Sequence, residues 1–173
     1  MEKLSMHYVP TLGSKIEALE REIQETREEG GNHYWERLRN LILTGHLYSE
    51  FYMNYYILRM FNIQKSEEDL FTTHILENIT FQDKLNLLKS VDFFGKSIIV
   101  IEAKSGQHKV KLYRAVQLLN ETRNVLAHNL KITTKMSQKF GKDSKFQYYF
   151  DIHHFKKILS QIIRELDSCC RYK

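Results

Sequence analysis

The chain has 173 residues, of which 42% are hydrophobic, and a formal net charge of +5 at pH 7. That length supports one core of ordinary size and not two, so we expect a single domain over 1–173. Seven glycines and one proline are too few for the turns of a many-stranded sandwich or barrel, which favours an all-α fold. No run of about 18 apolar residues and no signal-peptide pattern is present, and Cys169 and Cys170 are adjacent. Composition therefore predicts a cytoplasmic protein with neither a membrane span nor a disulfide framework.

The charge is unevenly distributed along the chain. Residues 1–100 contain 11 Lys and Arg against 15 Asp and Glu, whereas residues 101–173 contain 15 against 6, a net of +9. Such a basic half attracts polyanions, among which RNA has closely spaced phosphates. A lysine-rich solvated surface is an equally good interpretation.

The first part of the chain predicts two helices. The segment 14–29 has apolar residues at helical spacing behind a capping-box pattern that begins at Ser14, which predicts a leading helix. The segment 32–61 is the longest periodic stretch and predicts a long helix at the start of a core bundle over 32–171. Its predicted apolar stripe runs near Leu43, Leu47, Ile57 and Phe61, and it is thickened by Tyr48, Phe51, Tyr52, Tyr55 and Tyr56.

The middle of the chain is less regular. Polar residues at 64–69 predict a connection before a short helical piece near 70–76. Thr80 and Asp83 have capping-box spacing and predict a helix over about 81–91. The apolar run 97–101 suits a buried strand, but the surrounding sequence offers no obvious pairing partner. We therefore expect a helix or a turn there.

The last part predicts two more core helices. Residues 109–129 have apolar residues at steps of four, three and seven. Residues 131–149 break this periodicity and are rich in lysine, so we expect an irregular segment there. Residues 151–171 begin with the acidic Asp151 and predict a closing helix. The sum is a bundle of about five helices.

An arginine interrupts the apolar stripe of the predicted helix 109–129. The stripe through Leu112, Val116 and Leu119 continues to Arg123 and then to Leu126. A core-facing arginine is costly unless its charge has a partner or faces a wet cleft. The periodicity therefore marks Arg123 as a residue that needs an explanation.

Glu50 is the candidate partner, because the stripe of the long helix passes through Glu50 and Asn54. If the two helices pack together, Glu50 would orient the guanidinium of Arg123 and leave its other donors for a phosphate. A purely structural ion pair that fixes the helix register is the alternative.

Two further polar side chains accompany Arg123. Asn124 and His128 are four residues apart, so they lie one turn apart on a common helix face. Histidine titrates near neutral pH and can take a proton from a ribose 2′-hydroxyl or give one to a leaving 5′-oxygen. A lone histidine at a helix end is more often a C-cap or surface residue, and only the neighbouring Arg123 and Asn124 favour a catalytic role for His128. His46, one turn before Glu50, is a secondary candidate for the same cleft.

The segment Leu118–His128 resembles the signature of the HEPN superfamily, an arginine followed by four to six residues and a histidine, with a polar residue after the arginine. The segment Gly45–Glu50 is similar to the first long helix of that family, and Phe81–Leu88 to an intervening helix. The resemblance covers roughly 35–170. It implies a helical bundle that dimerises and cleaves RNA as a toxin or an antiviral defence effector.

The resemblance also implies roles for individual residues. His128 would act as acid and base, Arg123 would bind the scissile phosphate, and Asn124 and Glu50 would position them. The reaction would be attack of the 2′-hydroxyl on phosphorus, without a metal ion or cofactor, leaving 2′,3′-cyclic phosphate ends. The lysines flanking the RNA path would be Lys131, Lys135 and Lys139.

Other interpretations remain open at this point. The chain could be a non-catalytic module of the same type that binds RNA or a protein, such as a nucleotidyltransferase antitoxin. It could also be a regulator similar to mannitol repressors, although no helix-turn-helix pattern supports this. The tyrosines from Tyr48 to Tyr56 suit a core, a base-stacking surface or a subunit interface, and we favour the interface. His153 and His154 are adjacent and point apart on a helix, which argues against a metal site.

Overall fold

The computed structural model describes residues 32–103, 106–128 and 152–171, together with the single residues Ser14, Glu17, Ala18 and Arg21. The described part is mostly helical, as predicted. Its elements are α1 (Asn32–Met60), α2 (Glu68–Phe71), a π-helix (Thr72–Leu76), α3 (Phe81–Lys89), α4 (Asp92–Lys96), β1 (Ile98–Ala103), β2 (Gly106–Lys111), α5 (Leu112–His128) and α6 (Ile152–Arg171). None of the described helices combines the length and the apolar character that crossing a membrane requires.

Most of the predicted helices are confirmed where the structure describes them. The long helix, the short helical piece after the connection, the capped helix and the closing helix all form within a few residues of their expected bounds. Ser14, Glu17, Ala18 and Arg21 are helical, and the rest of the predicted leading helix lies outside the described residues. The predicted irregular segment 131–149 lies outside them as well.

The prediction of a helix or a turn at 97–101 is wrong. These residues belong to β1, which pairs antiparallel with β2. The β-branched run favours a strand, and Ile99 on it is 2% exposed. The partner strand is hard to recognise from sequence because Val110 is its one large apolar residue.

The hairpin also shortens the following helix. Lys109 to Lys111 belong to β2, so α5 begins at Leu112 rather than at residue 109. Helix α6 packs against β1, and the backbone N–H of Val100 donates a hydrogen bond to Oε1 of Gln161 at 2.8 Å. The described part is therefore mostly helical, which is consistent with the predicted all-α class, and it includes one small two-stranded sheet.

Helix α1 is the centre of the described core, and it packs against α3, α5 and α6. The predicted stripe is wrong at two positions, because Leu47 is 57% exposed and Phe61 is 52% exposed. The packing of three helices around α1 selects a different and wider face. Its buried apolar residues are Leu38, Leu41, Ile42, Tyr48, Tyr52, Met53, Tyr56, Ile57 and Leu58. Three of the tyrosines are therefore core residues, and not the interface that we favoured.

A glycine allows α1 and α6 to approach closely. A Cβ atom at Gly45 would lie 2.9 Å from Cδ1 of Leu159, which is closer than carbon atoms pack in a protein interior. The absence of a side chain at Gly45 therefore lets α6 pack closely on α1 one residue before His46.

The predicted capping box at the start of α3 is confirmed. Oγ1 of Thr80 accepts a hydrogen bond from the backbone N–H of Asp83 at 3.2 Å, and the Asp83 carboxylate accepts one from the backbone N–H of Thr80 at 3.3 Å. These bonds satisfy two backbone donors that the first turn would otherwise leave without partners. They fix the start of a helix that contributes Phe81 and Lys84 to the site described below.

We expect Thr80→Ala to lower the free energy of unfolding by about 1 kcal/mol, because the cap is lost. Thr80→Ser keeps the hydroxyl and is expected to cost much less. Urea unfolding of the two variants measures the difference. Equal destabilisation by both substitutions would contradict a role for the hydroxyl as the cap.

Candidate functional site

The helix α5 separates a core face from a polar face. Leu112, Val116, Leu119 and Leu126 are all fully buried, as the periodicity predicted. Arg123 is exposed, although the same stripe passes through it. The side chain is long enough to leave the edge of the core and to keep its charge in water. We expected this arginine either to have a charged partner or to face solvent, and in the structure it faces solvent.

The polar face of α5 has its own helical period. Tyr113, Gln117, Asn120 and Asn124 follow one another at steps of four, three and four, so they form a stripe along one side of the helix. Nη1 of Arg123 donates a hydrogen bond to Oδ1 of Asn124 at 2.9 Å. This bond uses one of the five guanidinium donors, and it holds the arginine against the end of the stripe.

His46 on α1 joins this stripe at Asn120. Its Nε2 lies 3.0 Å from Oδ1 of Asn120, and because an amide oxygen only accepts, the histidine nitrogen is the donor. The imidazole is 5% exposed and stacks on Phe81, with ring centroids 4.2 Å apart. The contacts of three helices thus fix the position of the ring and leave Nδ1 as the acceptor of the neutral imidazole.

Glu50 has a different partner from the one that the sequence suggested. Its Oε1 lies 2.7 Å from Nζ of Lys84 on α3, and no ion pair joins it to Arg123 within the described residues. Lys84 is 3% exposed and the Glu50 side chain is 29% exposed. The expectation that Glu50 directly orients Arg123 is therefore wrong, because a buried ammonium requires the carboxylate more than an exposed guanidinium does.

The polar groups nevertheless lie within electrostatic reach of one another. Glu50, Lys84 and Arg123 all act on the pKa of His46, as does the hydrogen bond to Asn120. We call these five residues with Asn124 the α1–α3–α5 cluster. It combines a neutral imidazole, a compensated ion pair and an exposed guanidinium at one place on the surface.

The remaining predicted site residues are His128 and three lysines. Helix α5 ends at His128, so the backbone of that residue lies about one turn beyond Asn124. Lys131, Lys135 and Lys139 lie outside the described residues. Across the ranges that the structure describes, no group of three His, Cys, Asp or Glu residues is arranged to hold a metal ion.

Two members of the cluster, Lys84 and Asn120, were not among the predicted site residues. Lys84 lies on the apolar stripe of α3 between Phe81 and Leu88, and it is the same kind of interruption that marked Arg123. Asn120 belongs to the polar stripe of α5. That stripe is recognised in the sequence only if the spacing of the polar residues is examined as well as that of the apolar ones. Both signals are present in the sequence.

Burial lowers the pKa of His46 below its ordinary value. The charges of Arg123 and Lys84 act in the same direction, while the bond to Asn120 and the charge of Glu50 oppose them. The unfolded chain therefore binds a proton at a higher pH than the folded chain does. We expect the folded state to be fully stabilised above a pH of about 6.5 and to lose stability as the pH falls below it.

The His46→Gln variant tests this pH dependence. Glutamine keeps a donor for Asn120 and does not titrate, so the variant is expected to lose less stability than the wild type between pH 7.5 and pH 5. Urea unfolding at the two pH values measures both changes. His74→Gln replaces an exposed histidine and is the matched control. Its stability should depend on pH as that of the wild type does. An equal dependence in all three proteins would show that His46 is not responsible.

Comparison with known proteins finds no matching family model, no matching curated protein and no matching solved structure.

Proposed function

We propose that this chain is a metal-independent endoribonuclease of the HEPN type. The observation that carries the proposal is the arrangement on α5, where Arg123 and Asn124 are exposed and joined by a 2.9 Å hydrogen bond. His128 ends the same helix, one turn beyond Asn124. The resemblance of Leu118–His128 to the family signature supplies the chemistry.

Arg123 acts on the phosphate in this mechanism. Attack of the ribose 2′-oxygen on phosphorus builds negative charge on the non-bridging oxygens. One guanidinium nitrogen is occupied by Asn124, and the other donors remain for two of those oxygens in a fork geometry. His128 takes the proton of the 2′-hydroxyl and returns one to the 5′-oxygen that leaves. The products are a 2′,3′-cyclic phosphate and a 5′-hydroxyl.

The buried part of the cluster positions these groups. His46 holds Asn120 at 3.0 Å, one turn before Asn124 on the polar stripe of α5. The pair of Glu50 with Lys84 keeps a neutralised charge next to His46. Glu50 therefore acts on the site through Lys84 and His46, and not by holding Arg123.

The exposed side chains around the cluster support a homodimer. Leu47 follows His46 and is 57% exposed, and the small Ala127, one turn after Arg123, is exposed as well. A second copy packed on this surface would bury an apolar side chain and bring two motifs together. The lysines at 131, 135 and 139 would then flank the RNA, and an antitoxin protein would act by covering this surface.

Cleavage of RNA in excess chelator tests the proposal. The pure chain is incubated with a labelled RNA and EDTA, and the new ends are examined for a 2′,3′-cyclic phosphate. Binding without cleavage would favour the non-catalytic module instead. Preference for double-stranded DNA over RNA would favour the regulator.

A further inference from the structure

Two lysines converge on one tyrosine at the far end of α5 from the motif. Nζ of Lys89 lies over the ring of Tyr113 at 5.0 Å from its centroid, and Nζ of Lys111 lies at 5.9 Å. Lys89 ends α3, Lys111 ends β2 and Tyr113 is in the first turn of α5. Three separate elements therefore build this Lys89–Lys111–Tyr113 cluster, which neither the motif nor the proposed chemistry uses.

The cluster presents positive charge to the solvent. Both lysines are exposed, while Tyr113 is partly buried against the core. Neither lysine forms an ion pair with any side chain that the structure describes. The nearby Arg114 is 3.5 Å from Glu121, so that carboxylate is already engaged by another cation. The ring attracts the two ammonium groups, and no carboxylate among the described side chains neutralises either charge, so both remain available to an anion.

The cluster and the motif lie on the same side of α5. Tyr113 begins the polar stripe that Asn124 continues, and about three turns of helix separate them by about 16 Å. Helix α3 runs beside this stripe, since Phe81 at its start stacks on His46 and Lys89 at its end reaches Tyr113. The surface between the two ends carries the uncharged amides Gln117 and Asn120, and the ion pair of Arg114 with Glu121 lies beside it, since Nη1 of Arg114 donates a hydrogen bond to Oε1 of Gln117 at 2.8 Å.

We propose that the Lys89–Lys111–Tyr113 cluster is a subsite for single-stranded RNA, in which the two lysines bind the phosphate backbone of a strand whose scissile phosphate lies at Arg123. The inference rests on the proposed function, because the motif defines where the other part of the strand lies. Cationic groups at both ends of one face, with neutral amides between them, match a chain that carries phosphates separated by polar sugars. Tyr113 holds the two lysines together through the attraction between its ring and their ammonium groups.

Binding of a fluorescein-labelled 12-nucleotide RNA, with its 2′-hydroxyls methylated so that it cannot be cleaved, is measured by anisotropy in EDTA at several salt concentrations and tests the subsite. Lys89→Gln and Lys111→Gln are each expected to weaken binding about threefold or more, and to reduce the salt slope by about 0.7. Lys65→Gln removes the same charge from an exposed lysine in the connection after α1 and should leave both values unchanged. Equal binding by Lys89→Gln, Lys111→Gln and the wild type would overturn the subsite.

Substitutions of the tyrosine separate the ring from its hydroxyl. Tyr113→Phe keeps the attraction between ring and ammonium groups and is expected to bind RNA as the wild type does. Tyr113→Leu is expected to weaken binding about threefold, while thermal unfolding shows whether the variant keeps its fold. Competition by polyglutamate as strong as by unlabelled RNA would indicate a general acidic partner and overturn the assignment to RNA.

A short substrate distinguishes failure of the subsite from failure of the proposed function. A dinucleotide occupies the motif but cannot extend about 16 Å along α5, so Lys89→Gln should lower kcat/KM for the unmethylated 12-nucleotide RNA and not for the dinucleotide. Cleavage of both substrates with no effect of the lysines would overturn the subsite and leave the ribonuclease. Lysine-dependent binding without cleavage would leave the subsite and overturn the ribonuclease. A chain that neither binds nor cleaves RNA would overturn both.

Discussion

Arg123→Ala is expected to slow RNA cleavage by about 100- to 1000-fold, and His128→Ala by about 100-fold or more. Arg123 is the group that stabilises the charge developing on the phosphate, and among the described residues no other cation is bonded to Asn124. Histidine carries the proton transfers, which alanine cannot perform. The effect of His128→Ala should appear in kcat alone, because proton transfer concerns the transition state, whereas Arg123→Ala should mainly lower kcat and also weaken RNA binding about threefold, because the arginine contacts a phosphate in the bound substrate as well. Single-turnover cleavage in EDTA measures them.

Matched substitutions make this result specific. Arg164→Ala removes an exposed arginine from α6, and His74→Ala removes an exposed histidine from the π-helix. Neither is expected to change the cleavage rate by more than about twofold, as for most surface positions away from special features. Arg123→Lys keeps the charge without the fork geometry and should recover only part of the activity. Full activity in Arg123→Ala and His128→Ala would overturn the ribonuclease assignment.

The helices were largely predictable because each one leaves a pattern within its own stretch of sequence. Periodicity and the capping pattern at Thr80 are local properties, and they place α1, α3 and α6 close to their observed bounds. The hairpin depends instead on the pairing of two strands, which the sequence of either strand alone does not show. Residues 98–103 are apolar enough for a strand, but the residues that pair with them include one large apolar side chain, Val110, and the remaining pairing is carried by backbone hydrogen bonds that leave no mark in the sequence.

The sequence predicted several residues of the site correctly, but it did not predict which of them contact one another. Periodicity marked Arg123 and Glu50 as charges that require a partner or solvent, and both lie in the α1–α3–α5 cluster. The pairing depends on which helix packs where. Helix α3 places Lys84 next to Glu50, so Glu50 does not pair with Arg123 and the arginine remains exposed to solvent. A sequence pattern can show that a charge needs compensation, but tertiary packing decides which group supplies it.

The second large effect is expected for the ion pair. Glu50→Ala should lower the free energy of unfolding by about 3 kcal/mol, because it leaves the ammonium of Lys84 buried and unpaired. For a chain of this size the melting temperature should fall by about 9 °C. Urea and thermal unfolding measure both quantities. Glu36→Ala removes an exposed carboxylate from the same helix and is expected to change stability by less than about 0.5 kcal/mol.

A double variant shows whether the ion pair is the cause. Lys84→Met alone leaves Glu50 partly solvated and is expected to cost only about 1 kcal/mol. Glu50→Ala combined with Lys84→Met should be more stable than Glu50→Ala, since the unpaired charge is gone. Simple addition of the two single effects would contradict the pairing. If the double variant regains stability but cleaves RNA slowly, Glu50 and Lys84 position His46 for the reaction, and if it also regains cleavage, their role is confined to the fold.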